Sequence, residues 1–304
     1  MSWLERLNDE LSVLGLTGRE RRRIVLELRD HIDCDPGCED RLGDPRELAA
    51  RFGDELATDR TRRCTYCVFG ALAIAAVALL VSQLAIRAAG SYPGFNRGLS
   101  LALFVPAALG MFIAPQVALV AGTLAALRGV RRRKVRILPA AELALIRRRA
   151  WVALGAGIAT AVGLELYVVN FSLVLPGWWL ELVGSLSAVA AVALLAASTT
   201  LVGAGAVATA TPGGAGDVFD DLPVIRWRWL RSHPWRLGVV ASLSVTVAMT
   251  LVGWHAEHSL IEGIERGALE GLAAAAGFAL LGRAIGVMTP PDRHPEPILP
   301  DDQS

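Results

Sequence analysis

The chain has 304 residues, of which 53% are hydrophobic and only 19% are charged. The formal net charge of +1 excludes no class of partner by itself, because acidic and basic residues are sorted by region. Charged blocks separated by long uncharged apolar stretches are typical of membrane proteins and exclude an ordinary soluble domain.

Residues 1–63 are polar and amphipathic and lack the apolar core of a secretory signal peptide, so we expect them to stay in the cytoplasm. Their pattern predicts three short helices, and we call this segment the head. Thr17 and Glu20 form a capping-box pair that predicts the start of the second helix. Asp44 and Pro45 predict the start of the third, and Gly53 predicts its end.

Four stretches of the head resemble the HAAS-type signalling domain of bacterial membrane proteins. They are LSVLGL at 11–16, RERRRI at 19–24, ELRDHI at 27–32 and GDPRELAARFG at 43–53. The resemblance implies a small helical module before a membrane region, with a PadR-like transcriptional regulator as cytoplasmic partner and no catalytic residue. The segment 34–38 departs from the family, whose linking segment is usually acidic and free of cysteine.

All four cysteines lie in two close pairs, Cys34 with Cys38 and Cys64 with Cys67. Thiolates in two pairs can bind Zn²⁺ tetrahedrally, and a reducing cytoplasm keeps them available. The alternatives are a reversible redox pair and unpaired small side chains. We therefore name these four residues as a candidate metal site, with Zn²⁺ as its cofactor.

Six later segments are long and apolar enough to cross a bilayer as helices, since unpaired backbone groups are not tolerated in hydrocarbon. The predicted spans are 67–86, 99–127, 151–171, 179–208, 237–254 and 268–288. Pro106 and Pro115 predict a kink in the second span. The predicted fold is therefore all-α and polytopic: a three-helix cytoplasmic domain (1–63), a six-helix transmembrane domain (64–288) and a disordered, proline-rich cytoplasmic tail (289–304).

Basic residues cluster at 60–63, 128–149 and 226–236, whereas the opposite loops contain only Arg87, Arg97 and Arg266. Because short loops rich in Lys and Arg stay in the cytoplasm, we expect both termini inside the cell membrane. The basic loops also suit anionic lipid headgroups, and Trp178 and Trp179 are expected at the outer interface. We expect no direct contact with nucleic acid.

The loop after the fifth span contains two histidines and two glutamates that share one face if the loop is helical. These residues are His255, His258, Glu262 and Glu265. They could bind a divalent cation or sense external pH, and the alternative is an ordinary polar loop. Within the third span, Glu165 is a candidate for a polar pathway, because an ionisable group in a membrane is costly.

Gly267 and Gly271 lie four residues apart in the sixth predicted span, as do Gly282 and Gly286, and this spacing favours close helix packing within one chain. The sequence has no phosphate-binding glycine loop and no evident set of nucleophile, base and orienting acid, so we expect no enzyme activity. The pattern favours a regulatory or sensory membrane protein whose head acts on a cytoplasmic partner. The alternative is a permease component that a separate subunit energises or gates.

Overall fold

The structure is a computed structural model that describes residues 2–35, 37–88, 106, 109–171, 176–213, 235–257 and 259–284. Every regular element in these ranges is helical, which confirms the all-α class. The chain divides into two compact units, Met1–Asp221 and Leu222–Ser304.

The head begins with two capped helices, α1 (Trp3–Val13) and α2 (Gly18–Cys34), followed by the short helix α3 (Cys38–Leu42). The predicted capping box of α2 is confirmed, because Thr17 N donates to Glu20 Oε2 at 3.1 Å while Glu20 N donates to Thr17 Oγ1. Gly15 follows α1 with a φ of 77°, a left-handed conformation that favours glycine after a helix end.

Helix α4 (Pro45–Ala88) is 44 residues long and continues from the head through the first predicted span without a break. Its start at Pro45 is as predicted, but its predicted end at Gly53 is wrong. A β-carbon on Gly53 would lie 3.1 Å from Leu14 Cδ1 and 3.6 Å from the Ala208 carbonyl oxygen. This glycine therefore serves close packing inside a helix and does not end it.

The remaining helices of the first unit are α5 (Ala114–Arg131), α6 (Ala140–Phe171) and α7 (Gly177–Gly205). A π-helical turn, Leu109–Ile113, precedes α5 and lies between the two prolines for which a kink was predicted. A β-carbon on Gly110 in this turn would lie 2.7 Å from the Ala159 carbonyl oxygen, so the turn packs closely on α6.

Helix α4 packs on α5, α6 and α7, which places it at the centre of the first unit. Its side chain Leu72 lies against Gly122 of α5 and Gly157 of α6, where a β-carbon would approach it to 2.9 Å or closer. Small residues at these crossings let the three backbones approach one another.

The second unit contains α8 (Trp235–Glu257) and α9 (Leu260–Ala284), which pack along their length. Three glycines four residues apart on α9, Gly263, Gly267 and Gly271, face Ser and Thr residues of α8. The close packing predicted for Gly267 and Gly271 is thus confirmed within the chain, whereas Gly286 lies outside the described residues.

Three of the described helical segments are long and apolar enough to cross a membrane: Pro45–Ser82, Ala140–Leu166 and Gly177–Gly205. Many of their large apolar side chains are exposed, as expected for surfaces that face lipid. Val192 of α7 and Val77 of α4, for example, are 67% and 58% exposed. Shorter apolar stretches are Gly238–Leu251 in α8 and Ala274–Arg283 in α9.

Candidate functional site

The apolar core of the head is completed by residues from much later in the chain. Trp3, Leu7 and Leu11 of α1 share one buried cluster with residues that follow α5 and α7. The later residues are Leu138, Leu143, Ile146 and Val207, none of them more than 2% exposed. We call the contact between the head and segments 132–147 and 203–211 the junction, and we take it as the candidate functional site.

At the junction, the buried face of α4 is polar. Asp54, Thr58, Thr61 and Thr65 recur at three- and four-residue spacing, so they line up on one side of the helix. The three threonines are at most 1% exposed, and Asp54 is 4% exposed. Each threonine hydroxyl donates to a carbonyl one turn earlier, which leaves its oxygen able to accept from another segment.

Asp54 binds the segment that follows α7. Its Oδ1 accepts from the Ala210 backbone N–H at 2.7 Å, and its Oδ2 accepts from the Thr211 hydroxyl. The Thr211 carbonyl accepts in turn from Ala140 N–H at the start of α6, at 3.1 Å. One buried carboxylate thus connects α4 to the segment that follows α7 and, through Thr211, to the start of α6.

The threonines connect α4 to the segment between α5 and α6 and to α6 itself. Thr58 Oγ1 accepts from Leu138 N–H at 3.1 Å, and Thr61 Oγ1 accepts from Arg147 Nε at 3.0 Å. Arg62 donates to the backbone carbonyls of Arg132 and Val135. Backbone groups of a connecting segment therefore obtain their partners from α4, as buried polar groups require.

A buried ion pair stabilises the turn between α5 and α6. Arg128 Nε lies 3.0 Å from Glu142 Oε1, with side chains 1% and 5% exposed, and Arg132 Nε lies 3.2 Å from the same oxygen. Removing one partner of such a pair leaves an uncompensated buried charge. Closer to the surface, Arg136 Nε pairs with Glu55 Oε1 of α4 at 2.9 Å.

Helix α2 is attached to α4 by an ion pair between Glu20 and Arg60, whose side chains are 32% and 19% exposed. Partial burial raises the pKa of the Glu20 carboxyl, but hydrogen bonds from Arg60 and Thr17 outweigh that effect. The pKa of Glu20 therefore lies below its ordinary value of 4.5. The carboxylate that caps α2 also holds α2 to the long helix.

The basic cluster at 128–149 is only partly available to lipid headgroups. Arg128 and Arg149 are fully buried, which corrects the expectation that the whole cluster faces the membrane surface. Arg131, Arg133, Lys134 and Arg148 are exposed, and for them the lipid contact stays a prediction. The second basic loop, 226–231, lies outside the described residues.

The two adjacent tryptophans at the start of α7 differ in environment. Trp178 is 51% exposed, as an interfacial tryptophan should be, whereas Trp179 is 1% exposed. Trp179 Nε1 donates to the Ser82 carbonyl of α4 at 3.1 Å. The interfacial prediction for Trp179 is therefore wrong, because its indole packs between helices and its N–H has a partner there.

The cysteines of the candidate zinc site lie on three helices. Cys34 is exposed at the end of α2, Cys67 is exposed on α4, and Cys64 is buried with its thiol 3.1 Å from the Thr61 carbonyl. The side chain of Cys38, on α3, lies outside the described residues. In the part of the chain that the structure describes, no three metal-ligating side chains come together, and zinc binding stays a prediction.

The candidate cation or pH site near the start of α9 is described only in part. Glu262 and Glu265 are exposed on α9, while His258 and the side chain of His255 lie outside the described residues. Glu165 is exposed on α6 within a segment long enough to cross a membrane. Roles for all five residues stay predictions.

Sequence reasoning missed the junction, although one signal for it exists. The stripe Asp54, Thr58, Thr61 and Thr65 shares its helical phase with the buried apolar residues Val68 and Leu72 further along α4. When a polar stripe continues in phase into an apolar stripe, the whole face of the helix is expected to be buried. The polar part of that face then forms hydrogen bonds with backbone groups of other segments. Its partners at 138–147 and 206–211 carry no such signal.

Compared with protein-family models, curated proteins and solved structures, the chain matches none.

Proposed function

We propose that this chain is a regulatory or sensory membrane protein in which the head recruits a cytoplasmic partner according to the state of the membrane helices. The proposal includes six spans, carried by α4–α9, with both termini in the cytoplasm. It also includes the HAAS-like character of the head and, by that resemblance, a PadR-like regulator as the partner.

The continuity of α4 carries the proposal. Helix α4 extends from the head into a segment apolar enough to cross a membrane, and its buried face binds the segments that precede α6 and follow α7. A helix of 44 residues spans about 66 Å at 1.5 Å per residue, roughly twice the thickness of a bilayer core. A shift of the membrane helices therefore has a direct route to the head.

The position of exposed basic residues supports the proposed orientation, in which both termini lie in the cytoplasm. Arg131, Arg133 and Lys134 are exposed next to the half-exposed Val130, at the end of the helices that meets the head. Exposed arginines beside apolar side chains suit the cytoplasmic face of a membrane.

The test uses the full-length chain, because residues 1–63 alone would expose the core that Leu138, Leu143, Ile146 and Val207 complete. Cells that produce the affinity-tagged chain are treated with a cross-linker, and the chain is purified under denaturing conditions. We expect a soluble regulatory protein to be enriched over the amount obtained with an unrelated membrane protein. Asp54→Ala, which loosens the junction, should change that enrichment.

Repeated absence of any soluble protein above the control would contradict the proposal. Enrichment of a separate ATPase would contradict it as well and would favour the transport alternative.

A further inference from the structure

Helix α2 of the head is only partly covered. None of its 17 residues is fully buried, and its apolar residues Ile24, Val25 and Leu28 are only partly buried where they pack against the shared core. Leu26 is 44% exposed. A helix that leaves this much of its surface open in a packed unit has room for a further contact.

An open cleft of about 440 Å³ runs between α1 and α2. Its lining includes Asn8 of α1 and, from α2, Arg21, Arg22, Val25, Leu26 and Arg29. Three guanidinium groups thus surround two apolar side chains, and among the described residues no carboxylate lines the cleft. The cleft has room for a few side chains of a partner protein, and the positive charge of its three arginines favours acidic side chains.

Arg21 gives an independent indication that an acceptor belongs in the cleft. Its Nε is buried and has no hydrogen-bond partner within the described part of the chain. A buried donor left unpaired is costly, and a guanidinium binds carboxylates best because its fork matches their two oxygens. An incoming carboxylate would satisfy this nitrogen and the neighbouring arginines together.

From this geometry we infer that the α1–α2 cleft is the docking surface for an acidic, amphipathic segment of a cytoplasmic protein. Carboxylates of the segment pair with Arg21, Arg22 and Arg29, and an apolar side chain contacts Val25 and Leu26. A protein segment fits better than a lipid surface, because a flat array of headgroups does not reach the half-buried Val25 that lines the cleft. The inference rests on the proposed function and specifies the surface of the head that performs it.

The test places a photo-crosslinking amino acid at position 26 of the full-length chain, produced in its native cells. Val13, which is 80% exposed on α1 and does not line the cleft, carries the same probe in a control chain. Cross-linked peptides are identified by mass spectrometry. We expect position 26, and not position 13, to link to a protein segment rich in Asp and Glu with apolar residues among them.

Charge reversal tests whether the arginines hold the segment. Arg22→Glu with Arg29→Glu should reduce the cross-link at least tenfold, the equivalent of about 1.4 kcal/mol in binding. The matched control, Arg19→Glu with Arg51→Glu, makes the same change in net charge at exposed positions outside the cleft and should leave the cross-link unchanged.

Three results would overturn the inference: linkage at position 26 to lipid only, linkage to a segment without excess acid, or linkage insensitive to the Arg22 and Arg29 reversals. Absence of any linkage at position 26 would overturn it too. If chemical cross-linking of the affinity-tagged chain still captures a soluble regulator in that case, only this docking surface is wrong. If neither experiment yields a soluble protein, the proposed function fails with it.

Discussion

Asp54 illustrates how a single buried side chain connects distant parts of this chain. Both carboxylate oxygens are used, one by the Ala210 N–H and one by the Thr211 hydroxyl, more than 150 residues away. Because both hydrogen bonds are partly buried and Asp54 itself is buried, the carboxylate relies on these two donors to replace its contacts with water.

Replacing Asp54 with Ala should lower the free energy of unfolding by about 2 kcal/mol, since two part-buried donors lose a charged acceptor. Thermal denaturation of the full chain in lipid nanodiscs measures the effect. Asp59→Ala is the matched control, because Asp59 pairs with the exposed Arg63 on the same helix. Equal effects of the two substitutions would contradict the role given to Asp54.

The Glu20 carboxyl makes stability depend on pH. Since its pKa is lowered in the folded chain, the stability it adds is present above its ordinary pKa of 4.5 and is lost as the pH falls through the lowered value. Glu20→Gln should therefore be less stable than the parent at neutral pH, with the difference vanishing in acid. Comparing denaturation of the two proteins between about pH 3 and pH 7 isolates this group from all others. A difference that does not vary with pH would contradict the account.

The adjacent residues Trp178 and Trp179 are expected to contribute differently to stability, because one is exposed and the other is buried. Trp179→Phe removes the hydrogen bond to the Ser82 carbonyl and should cost about 1 kcal/mol, beyond any loss of packing. Trp178→Phe changes an exposed ring and should leave the denaturation temperature near that of the parent. Differential scanning calorimetry measures both, and a larger effect at Trp178 would show that the indoles are assigned the wrong way round.

For single residues, the sequence predicts hydrogen-bond partners that lie within one helical turn, but it does not predict partners that are far apart along the chain. The Thr17–Glu20 capping box could be found because both residues lie within one turn of a helix. Asp54 could not be matched with Thr211, since nothing in a single sequence states which backbone groups a buried carboxylate will meet. Trp179 was misassigned because a tryptophan near a span end has the same pattern whether it faces lipid or another helix.

Among the elements, the contact between α8 and α9 depends on glycines. A β-carbon on Gly267 would lie 2.7 Å from the Thr246 carbonyl oxygen and 3.0 Å from Thr250 N, closer than real contacts allow. The spacing of these glycines was visible in the sequence, whereas their partners on α8 were not.

Gly267→Ala should therefore separate the two helices and destabilise their contact by about 1–3 kcal/mol, the usual effect of overpacking. Gly277→Ala, on the same helix with open space around it, should be neutral or slightly stabilising. Denaturation of both variants in nanodiscs provides the measurement. A neutral Gly267→Ala would show that α8 and α9 do not approach this closely.

Helix α4 shows where element boundaries escape sequence reasoning. A glycine after Phe52 follows the usual pattern of a helix end, and the start at Pro45 was found by the same kind of rule. Yet Gly53 lies within the helix, where its missing side chain makes room for Leu14 and the Ala208 carbonyl. Local rules cannot distinguish a glycine that ends a helix from one that admits a neighbour.

For the whole molecule, the all-helical class followed from apolar periodicity, and three helices have the length and composition to cross a membrane. The contact between the head and the later helices could not be predicted from the sequence. The pattern of 1–63 suggests a module with its own core, whereas Leu138, Leu143, Ile146 and Val207 complete that core in the folded chain. Apolar residues in a loop rich in arginine are easily taken for contacts with lipid.

The central claim is that the head is held at the junction, against segments 132–147 and 203–211, and the exposed pair Glu55 and Arg136 tests it most directly. Cysteines replace these two residues in a chain whose native cysteines are changed to Ala, and intact membranes are treated with a short bis-maleimide. Because Arg136 Nε lies 2.9 Å from Glu55 Oε1, we expect efficient cross-linking within one chain, and none in either single-cysteine variant. Failure to cross-link, while both cysteines react fully with a monofunctional maleimide, would contradict the account.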